Sequence, residues 1–195
     1  MQYTGSIDNR GILEIIRRSC SYVDARLMNH GYRVAYIVSE MLKPYFHEDA
    51  RKIRDVCFLT LLHDIGAYKT DEISKMLQFD TNDVLAHSVY GYLFIKYFSP
   101  LKKLSGAILL HHATWQVLEH SEVFPEGIRL LAQVIHVADR IDVAMEVQHL
   151  TWEETAALLK KGSGTKFSPV IADLALACDF HRSEERRVGK ECLEW

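Results

Sequence analysis

The sequence predicts an all-α protein, a bundle of about seven to nine helices. Proline and glycine, which interrupt regular helices, number only four and ten among 195 residues. Long apolar segments keep the 3.6-residue helical period, and no strand-like alternation stands between hairpin turns. Because 48% of the residues are hydrophobic, the chain can bury the core of one globular domain.

The first half of the chain is predicted to form four helices. The helix over 22–43 carries an apolar stripe and stops before Pro44. The helix over 48–62 ends in an almost wholly apolar turn, which should be buried, and Gly66 is its predicted C-terminal cap. The two shorter helices are predicted over 8–20 and 71–77.

The second half is predicted to form five further helices, with a polar loop over 116–125. Thr151 and Glu154 have the spacing of a capping box, which marks a helix start. Gly162 and Gly164 flank a predicted turn. The five helices are predicted over 82–98, 101–115, 126–148, 151–161 and 168–178.

Three segments follow from this pattern. Residues 1–21 form a lead-in helix, 22–180 form the single domain, and 181–195 form a polar tail. The tail is charged and aperiodic, and part of it resembles translated vector sequence. Both interpretations of the tail, native and non-native, stay open.

Charge and cysteine usage exclude several classes of function. A formal net charge of −3 offers no basic surface for a nucleic-acid polymer or an anionic membrane. No apolar run reaches the roughly 18–20 residues that a membrane span needs. The four cysteines fit no disulfide framework, and the chain has no secretory signal. We therefore expect a cytoplasmic protein.

The histidines are the unusual feature of the composition, since ten are about twice the number expected for this length. His63 and Asp64 come at the end of a buried helix, where uncompensated polar groups would be costly. A metal ion bound by both side chains would remove that cost. This pair is therefore the first candidate for a metal site.

Five more polar residues fall on four predicted helices, three of them at core-facing positions and the other two as an adjacent pair of which at least one faces inward. Alone, each is more often a hydrogen-bonded core residue, but together with His63 and Asp64 they indicate one metal centre. They are His30, His87, His111, His112 and Asp139.

Two details of this set depend on helix geometry. Neighbours on a helix diverge by about 100°, so His111 and His112 can share an ion only near a helix end. His136 lies three residues before Asp139, and we interpret it as a surface or core residue. The alternative is that it contacts a metal ligand without binding the metal itself.

The order of these residues resembles the HD superfamily of metal-dependent phosphohydrolases, and most closely its HD-GYP branch. That branch has a lone His, a His-Asp-Ile-Gly motif, a His followed by Gly four residues later, a His-His pair and an Asp in a long helix. The matching residues here are His30, His63-Asp64-Ile65-Gly66, His87 with Gly91, His111-His112 and Asp139. Residues 164–169 also resemble the family's Gly-x-x-Phe-Asp-Pro turn. The resemblance covers 22–177 and implies an HD-domain helical bundle around a metal site.

The sequence departs from the branch at several positions. Ala113 follows the His-His pair where the family usually has Glu, and no Gly-Tyr-Pro element comes after it. Ala67 replaces the family's Lys, although Lys69 is near enough to substitute. Arg26 stands where members with a third metal have Glu, although Asp142 would fit such a third site. We therefore expect the Arg26 guanidinium to replace the third cation and to contact a phosphate.

The resemblance implies hydrolysis of a nucleotide phosphodiester or phosphomonoester, cyclic dinucleotides included, by a binuclear centre. Asp64 is the expected bridge between the two ions, and the expected catalytic residues are Asp64, His63 and Lys69. Lys69 and Arg26 are the expected phosphate contacts.

The same interpretation divides the remaining ligands between two divalent ions. His87, His111 and His112 complete one ion, while Asp139 and His30 complete the other, with a third metal position as the alternative for His30. A mixed shell of imidazoles and carboxylates suits iron or manganese, with zinc or nickel as alternatives. The expected partner is a phosphorylated small molecule. A homodimer and further domains beyond residue 195 stay open.

Two other functions compete with hydrolysis. Some HD-fold proteins use a diiron pair to oxidise C–H bonds with oxygen, but the adjacent His111 and His112 favour a hydrolase. A catalytically weak signalling or binding module is the second alternative, because several family elements are missing. Retention of every central ligand argues against that module.

Overall fold

The computed structural model describes residues 25–67 and 84–178, together with Phe180 and single positions between 11 and 22. Within this part of the chain there are eight α-helices and no β-strand, which confirms the all-α class. The helices are α1 Ala25–Leu42, α2 Phe46–Leu61, α3 Val84–Phe98, α4 Ser105–Leu110, α5 Trp115–Leu118, α6 Glu126–Asp142, α7 Trp152–Gly162 and α8 Pro169–Leu176. The helix predicted over 71–77 lies outside the described residues, as does most of the one over 8–20.

Helices α1 and α6 form the centre of the bundle. Helix α1 packs against α2 and α6, while α6 also packs against α4 and α8, and α3 lies against α4. Two clusters of buried apolar side chains hold these helices together, and each cluster takes residues from both α1 and α6. Ile37 of α1 and Ile135 of α6 are fully buried, one in each cluster. The two central helices therefore connect both clusters of buried apolar side chains.

The connection between α1 and α2 follows the predicted boundary at Pro44. A short 3-10 helix, Lys43–Tyr45, contains this proline, and α2 starts directly after it. Helix α2 is kinked at Asp49, which has non-helical dihedral angles. The Asp49 carboxylate accepts a hydrogen bond from the backbone N–H of Lys52, as an N-cap residue does. The regular part of α2 consequently begins after Asp49.

The helix predicted over 101–115 is wrong in its second half. A 3-10 helix, Lys102–Leu104, leads into α4, which ends at Leu110, and a turn then precedes α5. The backbone N–H groups of Trp115 and Gln116 donate to the carbonyl oxygens of Lys166 and Thr165. The distant turn that carries these carbonyls draws the chain out of the helical path, and apolar periodicity does not reveal such a contact.

The long helix predicted over 126–148 changes from α-helical to π-helical geometry near its end. Regular α6 stops at Asp142, and a π-helical turn, Val143–Val147, continues it. The capping box at the start of α7 is confirmed, because the side chains of Thr151 and Glu154 each bind the other residue's backbone N–H. The predicted turn after α7 is confirmed as well, with Gly164 at a φ of 78°.

Gly66 has a different role from the predicted helix cap. Helix α2 ends at Leu61, and Gly66 does not adopt the left-handed conformation of a glycine cap. A side chain there would collide with the His87 carbonyl oxygen and approach the Gly91 amide nitrogen to 2.5 Å. Glycine is required because the turn after α2 lies directly on the backbone of α3.

Gly31 serves a similar purpose where α1 crosses α2. A Cβ atom there would lie 2.5 Å from the carbonyl oxygen of Leu61. Gly31 directly follows His30, and Gly66 comes three residues after His63. Both histidines therefore lie close to a point where two backbones are in contact.

Gln133 joins two turns through the interior of the bundle. Its fully buried side-chain amide donates to the carbonyl oxygen of Ala113 at 2.8 Å. Its amide oxygen accepts from the backbone N–H of Ser168 at 2.9 Å. One side chain of α6 thus fixes the turn after α4 to the start of α8.

None of the helices in the described ranges combines the length with the apolar character that a membrane crossing requires.

Substitution of Gly66 by alanine should destabilise the protein by about 3 kcal/mol, because neither backbone that the new Cβ meets can move alone. Urea unfolding followed by circular dichroism measures this loss. Gly127→Ala is the matched control, since a Cβ there meets nothing within 4 Å. Its stability should stay equal or rise by up to about 1 kcal/mol. Equal stabilities of the two variants would contradict the close packing at Gly66.

Substitution of Gln133 by methionine, which keeps the volume, should cost about 2–4 kcal/mol because the buried N–H of Ser168 and the carbonyl oxygen of half-buried Ala113 lose their partner. The same unfolding experiment tests it. Gln148→Met, at an exposed position, should leave stability within about 0.5 kcal/mol of the wild type. A loss no larger at Gln133 than at Gln148 would show that the buried amide is dispensable.

Candidate metal centre

The structure brings the seven predicted metal-binding side chains to one place. His30 comes from α1, His63 and Asp64 from the turn after α2, and His87 from α3. His111 and His112 lie in the turn after α4, and Asp139 lies in α6. All are buried except His112, which is half-buried.

The carboxylate of Asp64 lies between two groups of imidazoles. Its Oδ2 is 3.1 Å from His63 Nε2 and 3.7 Å from His30 Nε2. Its Oδ1 is 3.4 Å from His111 Nε2 and 3.5 Å from His87 Nε2. Each oxygen therefore faces its own pair of nitrogen atoms.

Two further side chains complete these groups. The Oδ1 atom of Asp139 lies 3.2 Å from His30 Nε2. On the other side, the Nε2 atoms of His112 and His87 are 2.9 Å apart. Helix α4 ends at Leu110, so His111 and His112 lie in the turn that follows it. Outside a regular helix, their two side chains can face the same site. In two groups of side chains, the potential ligand atoms lie within 4.8 Å of one another. The first group is His30, His63 and Asp64, and the second is Asp64, His87, His111 and His112.

The hydrogen bonds on the far side of the imidazoles fix which nitrogen faces the centre. Nδ1 of His63 lies 2.8 Å from the Thr60 carbonyl oxygen, and Nδ1 of His111 lies 2.6 Å from that of Ile108. A carbonyl oxygen only accepts, so both Nδ1 atoms carry a proton and Nε2 is the nitrogen of each ring that is left for a ligand bond. Metal-binding histidines in proteins are held in this way.

The inward-facing atoms fit a bound cation. His63 Nε2, His111 Nε2 and Asp64 Oδ1 are buried and have no hydrogen-bond partner. Buried polar atoms without partners are costly, and divalent cations bound by the two groups would satisfy all three. Nitrogen and carboxylate oxygen donors suit zinc, iron, manganese and nickel. The residues present therefore fit a metal centre.

The two carboxylates of the centre are ionised. Burial opposes the charge of Asp64, but interactions with His63 and His111 hold its pKa well below the usual value. Burial likewise opposes the charge of Asp139, and the adjacent Arg140 guanidinium is the main reason that its pKa stays well below the usual value. Arg140 donates to Asp139 Oδ2 through Nε and through a terminal nitrogen, at 3.0 and 2.5 Å.

The imidazoles differ in their charge. Burial lowers the pKa of His87 to about 4 and also lowers the pKa of His112, so both are neutral, as metal ligands must be. Burial acts against a proton on His30 too, but hydrogen bonds to Asp139 and Asp142 outweigh it and raise its pKa to about 10. The two neighbouring carboxylates thus favour a proton on His30.

Asp142 lies behind His30 and is held by Arg33. Its Oδ2 accepts from His30 Nδ1 at 2.7 Å, and both of its oxygens accept from the Arg33 guanidinium at 2.6 and 2.9 Å. Arg26, which was expected to take the place of a third cation, is exposed. Arg33 supplies the guanidinium that binds Asp142, and the place of Arg26 at a third cation site is still an expectation. Its contact with a phosphate stays a prediction.

Arg33 and Arg140 were missed in the sequence because an arginine on a helix is usually solvated. One signal could have identified Arg33: it follows His30 by three residues and so lies on the same face of α1. Lys69, the expected catalytic and phosphate-binding lysine, lies outside the described residues.

His136 does not belong to either group of candidate ligands. Its ring packs against Phe167 with centroids 5.3 Å apart, and its Nδ1 lies 3.5 Å from the Gln133 amide nitrogen. Burial lowers its pKa to about 4, so it is a neutral core residue. Of the two interpretations from the sequence, the structure favours the core one.

Comparison with known proteins places this geometry in a family. Neither a curated protein nor a solved structure matches the chain. The family described as HD domain matches residues 27–144, which include all seven candidate ligands. Since this match spans more than half of the sequence, the chain belongs to the HD-domain family.

Proposed function

We propose that this protein is a phosphohydrolase that uses two divalent cations to hydrolyse a phosphate ester of a nucleotide. The observation that carries the proposal is the position of Asp64, whose two oxygens face separate groups of buried imidazoles. With one oxygen toward each group, Asp64 could help to hold two divalent ions, one on either side. Membership of the HD-domain family, whose members are generally metal-dependent phosphohydrolases, supports the same chemistry.

We assign the ligands to two halves of the centre, which share Asp64. The His30 half consists of His30, His63, Asp139 and Asp64 Oδ2. The His112 half consists of His87, His111, His112 and Asp64 Oδ1. Iron or manganese suits these shells best, with zinc or nickel as alternatives.

When bound, the pair of cations supplies an activated water and stabilises the charge that develops on a phosphoryl group. The first contribution of the chain's own residues is the small negative charge of the ligand set. Only two of the seven ligands, Asp64 and Asp139, are anionic, so the loaded centre keeps a net positive charge. It would attract a phosphate although the chain as a whole carries −3.

The proposed substrate is a phosphorylated small molecule, and a nucleotide phosphodiester is the first choice. The order of His30, the His63-Asp64 motif, His87 and the His111-His112 pair resembles the HD-GYP branch and supports a cyclic dinucleotide. The missing Gly-Tyr-Pro element weakens that choice, so linear nucleotides belong in the same screen. Lys69 and Arg26 are the proposed phosphate contacts, and the cytoplasm is the proposed location.

The decisive variant is Asp64→Asn, which keeps the shape but loses the bridging charge. It should lose bound metal and lower phosphodiesterase activity more than the roughly hundredfold that partners behind a ligand typically contribute. Metal analysis and hydrolysis of a chromogenic phosphodiester measure the two effects. Asp173→Asn, at an exposed position of α8, is the control and should match the wild type. Full activity and metal content in Asp64→Asn would refute the proposal.

Removal of the metal should abolish hydrolysis and lower the melting temperature by about 5–10 °C, because bound ions stabilise only the folded state. Chelation, followed by addition of Mn²⁺ or Fe²⁺, tests this by calorimetry and by activity. Recovery of activity with the added ion is expected. Oxygen consumption by the reduced iron form without hydrolysis would instead support a diiron oxygenase. Metal binding without either reaction would support a signalling module.

A further inference from the structure

We propose that Arg33 is a positioning residue that sets the metal affinity of the His30 half and leaves the His112 half unchanged. It would act through Asp142, which fixes the orientation of His30. This inference rests on the proposed function, because it concerns the metals of the same centre.

The first step is the contact between Arg33 and Asp142. The guanidinium donates from Nε to Oδ1 at 2.6 Å and from a terminal nitrogen to Oδ2 at 2.9 Å. Two parallel bonds fix the plane of the carboxylate as well as its position. The Asp142 side chain has no solvent-exposed surface, so water does not loosen this pair.

The second step is the contact between Asp142 and His30. Oδ2 of Asp142 accepts from His30 Nδ1 at 2.7 Å. With Nδ1 held there, Nε2 points toward Asp139 Oδ1 at 3.2 Å and Asp64 Oδ2 at 3.7 Å. A carboxylate behind a metal-binding histidine both orients the ring and makes it a stronger ligand.

The selectivity follows from how the other rings are held. The Nδ1 atoms of His63 and His111 bind backbone carbonyl oxygens, which substitution of a side chain does not remove. His30 is held by a side chain, and that side chain is held by Arg33. Substitution of Arg33 should therefore affect metal binding through the orientation of the His30 ring.

The experiment is a Mn²⁺ titration of metal-free full-length protein by calorimetry, with the bound metal counted after desalting. Wild-type protein should bind two ions. Arg33→Met should keep one ion with wild-type affinity and bind the other about 10–100-fold more weakly. Arg33→Lys keeps the charge but not the two parallel bonds, so its loss should be intermediate. Arg51→Met, at an exposed position of α2, should bind both ions as the wild type does.

Two further variants separate positioning from a loss of structure. Asp142→Asn, which removes no volume, should weaken the same single ion. In a His30→Gln background, which should keep only the ion of the His112 half, Arg33→Met should leave that ion unchanged. If Arg33 only supported the bundle, the remaining ion would weaken again.

The outcomes distinguish this inference from the proposed function. If wild-type protein binds two ions and folded Arg33→Met and Asp142→Asn bind both equally tightly, the role of Arg33 is contradicted alone. If wild-type protein binds no ion, the proposed function is contradicted, and the inference with it.

Discussion

The shared carboxylate of Asp64 is the constraint on which the rest of the site depends. One buried anion lies between two sets of buried imidazoles, and each set comes from different helices. Such a group of polar side chains is unfavourable inside a protein unless charge compensates it. The Arg33 and Arg140 guanidinium groups supply part of this compensation. The inward-facing atoms that remain without partners indicate where further positive charge belongs.

The helix packing serves the same arrangement. Glycine at positions 31 and 66 lets the turn after α2 approach both α1 and α3 at backbone distance. That turn carries His63 and Asp64, so it is placed between the helices that provide His30 and His87. Farther away, Gln133 ties the turn with His111 and His112 to the start of α8. Small residues and one buried amide thus determine where the ligands lie, although none of them is itself a ligand.

The sequence was most informative where polar residues interrupt an apolar pattern. His63, Asp64 and Asp139 stand out for this reason, and the all-α class follows from the helical period. Contacts through space were not predictable. The approach of the 162–168 turn ends the helix predicted over 101–115, and the crossing of α3 explains Gly66 better than a helix cap does.

Electrostatic partners were equally hidden in the sequence. Arg26 and Arg33 are seven residues, about two turns of α1, apart and so lie on one side of the helix, and periodicity does not show which of the two meets Asp142. An arginine that neutralises a buried carboxylate and one that is solvated have the same appearance in a sequence. Only the crossing of α1 and α6 decides between them.

The distance along the chain between His30 and Asp142 has a consequence for how the centre assembles. These residues are 112 positions apart, whereas His87 and His112 are only 25 apart. Loop closure becomes more costly with length, by about 1 kcal/mol between these two separations. During synthesis from the N-terminus, every residue of the His112 half has emerged by position 112, while the other half must wait for α6. We therefore expect the ligand set of the His30 half to be complete last, once α6 has been made.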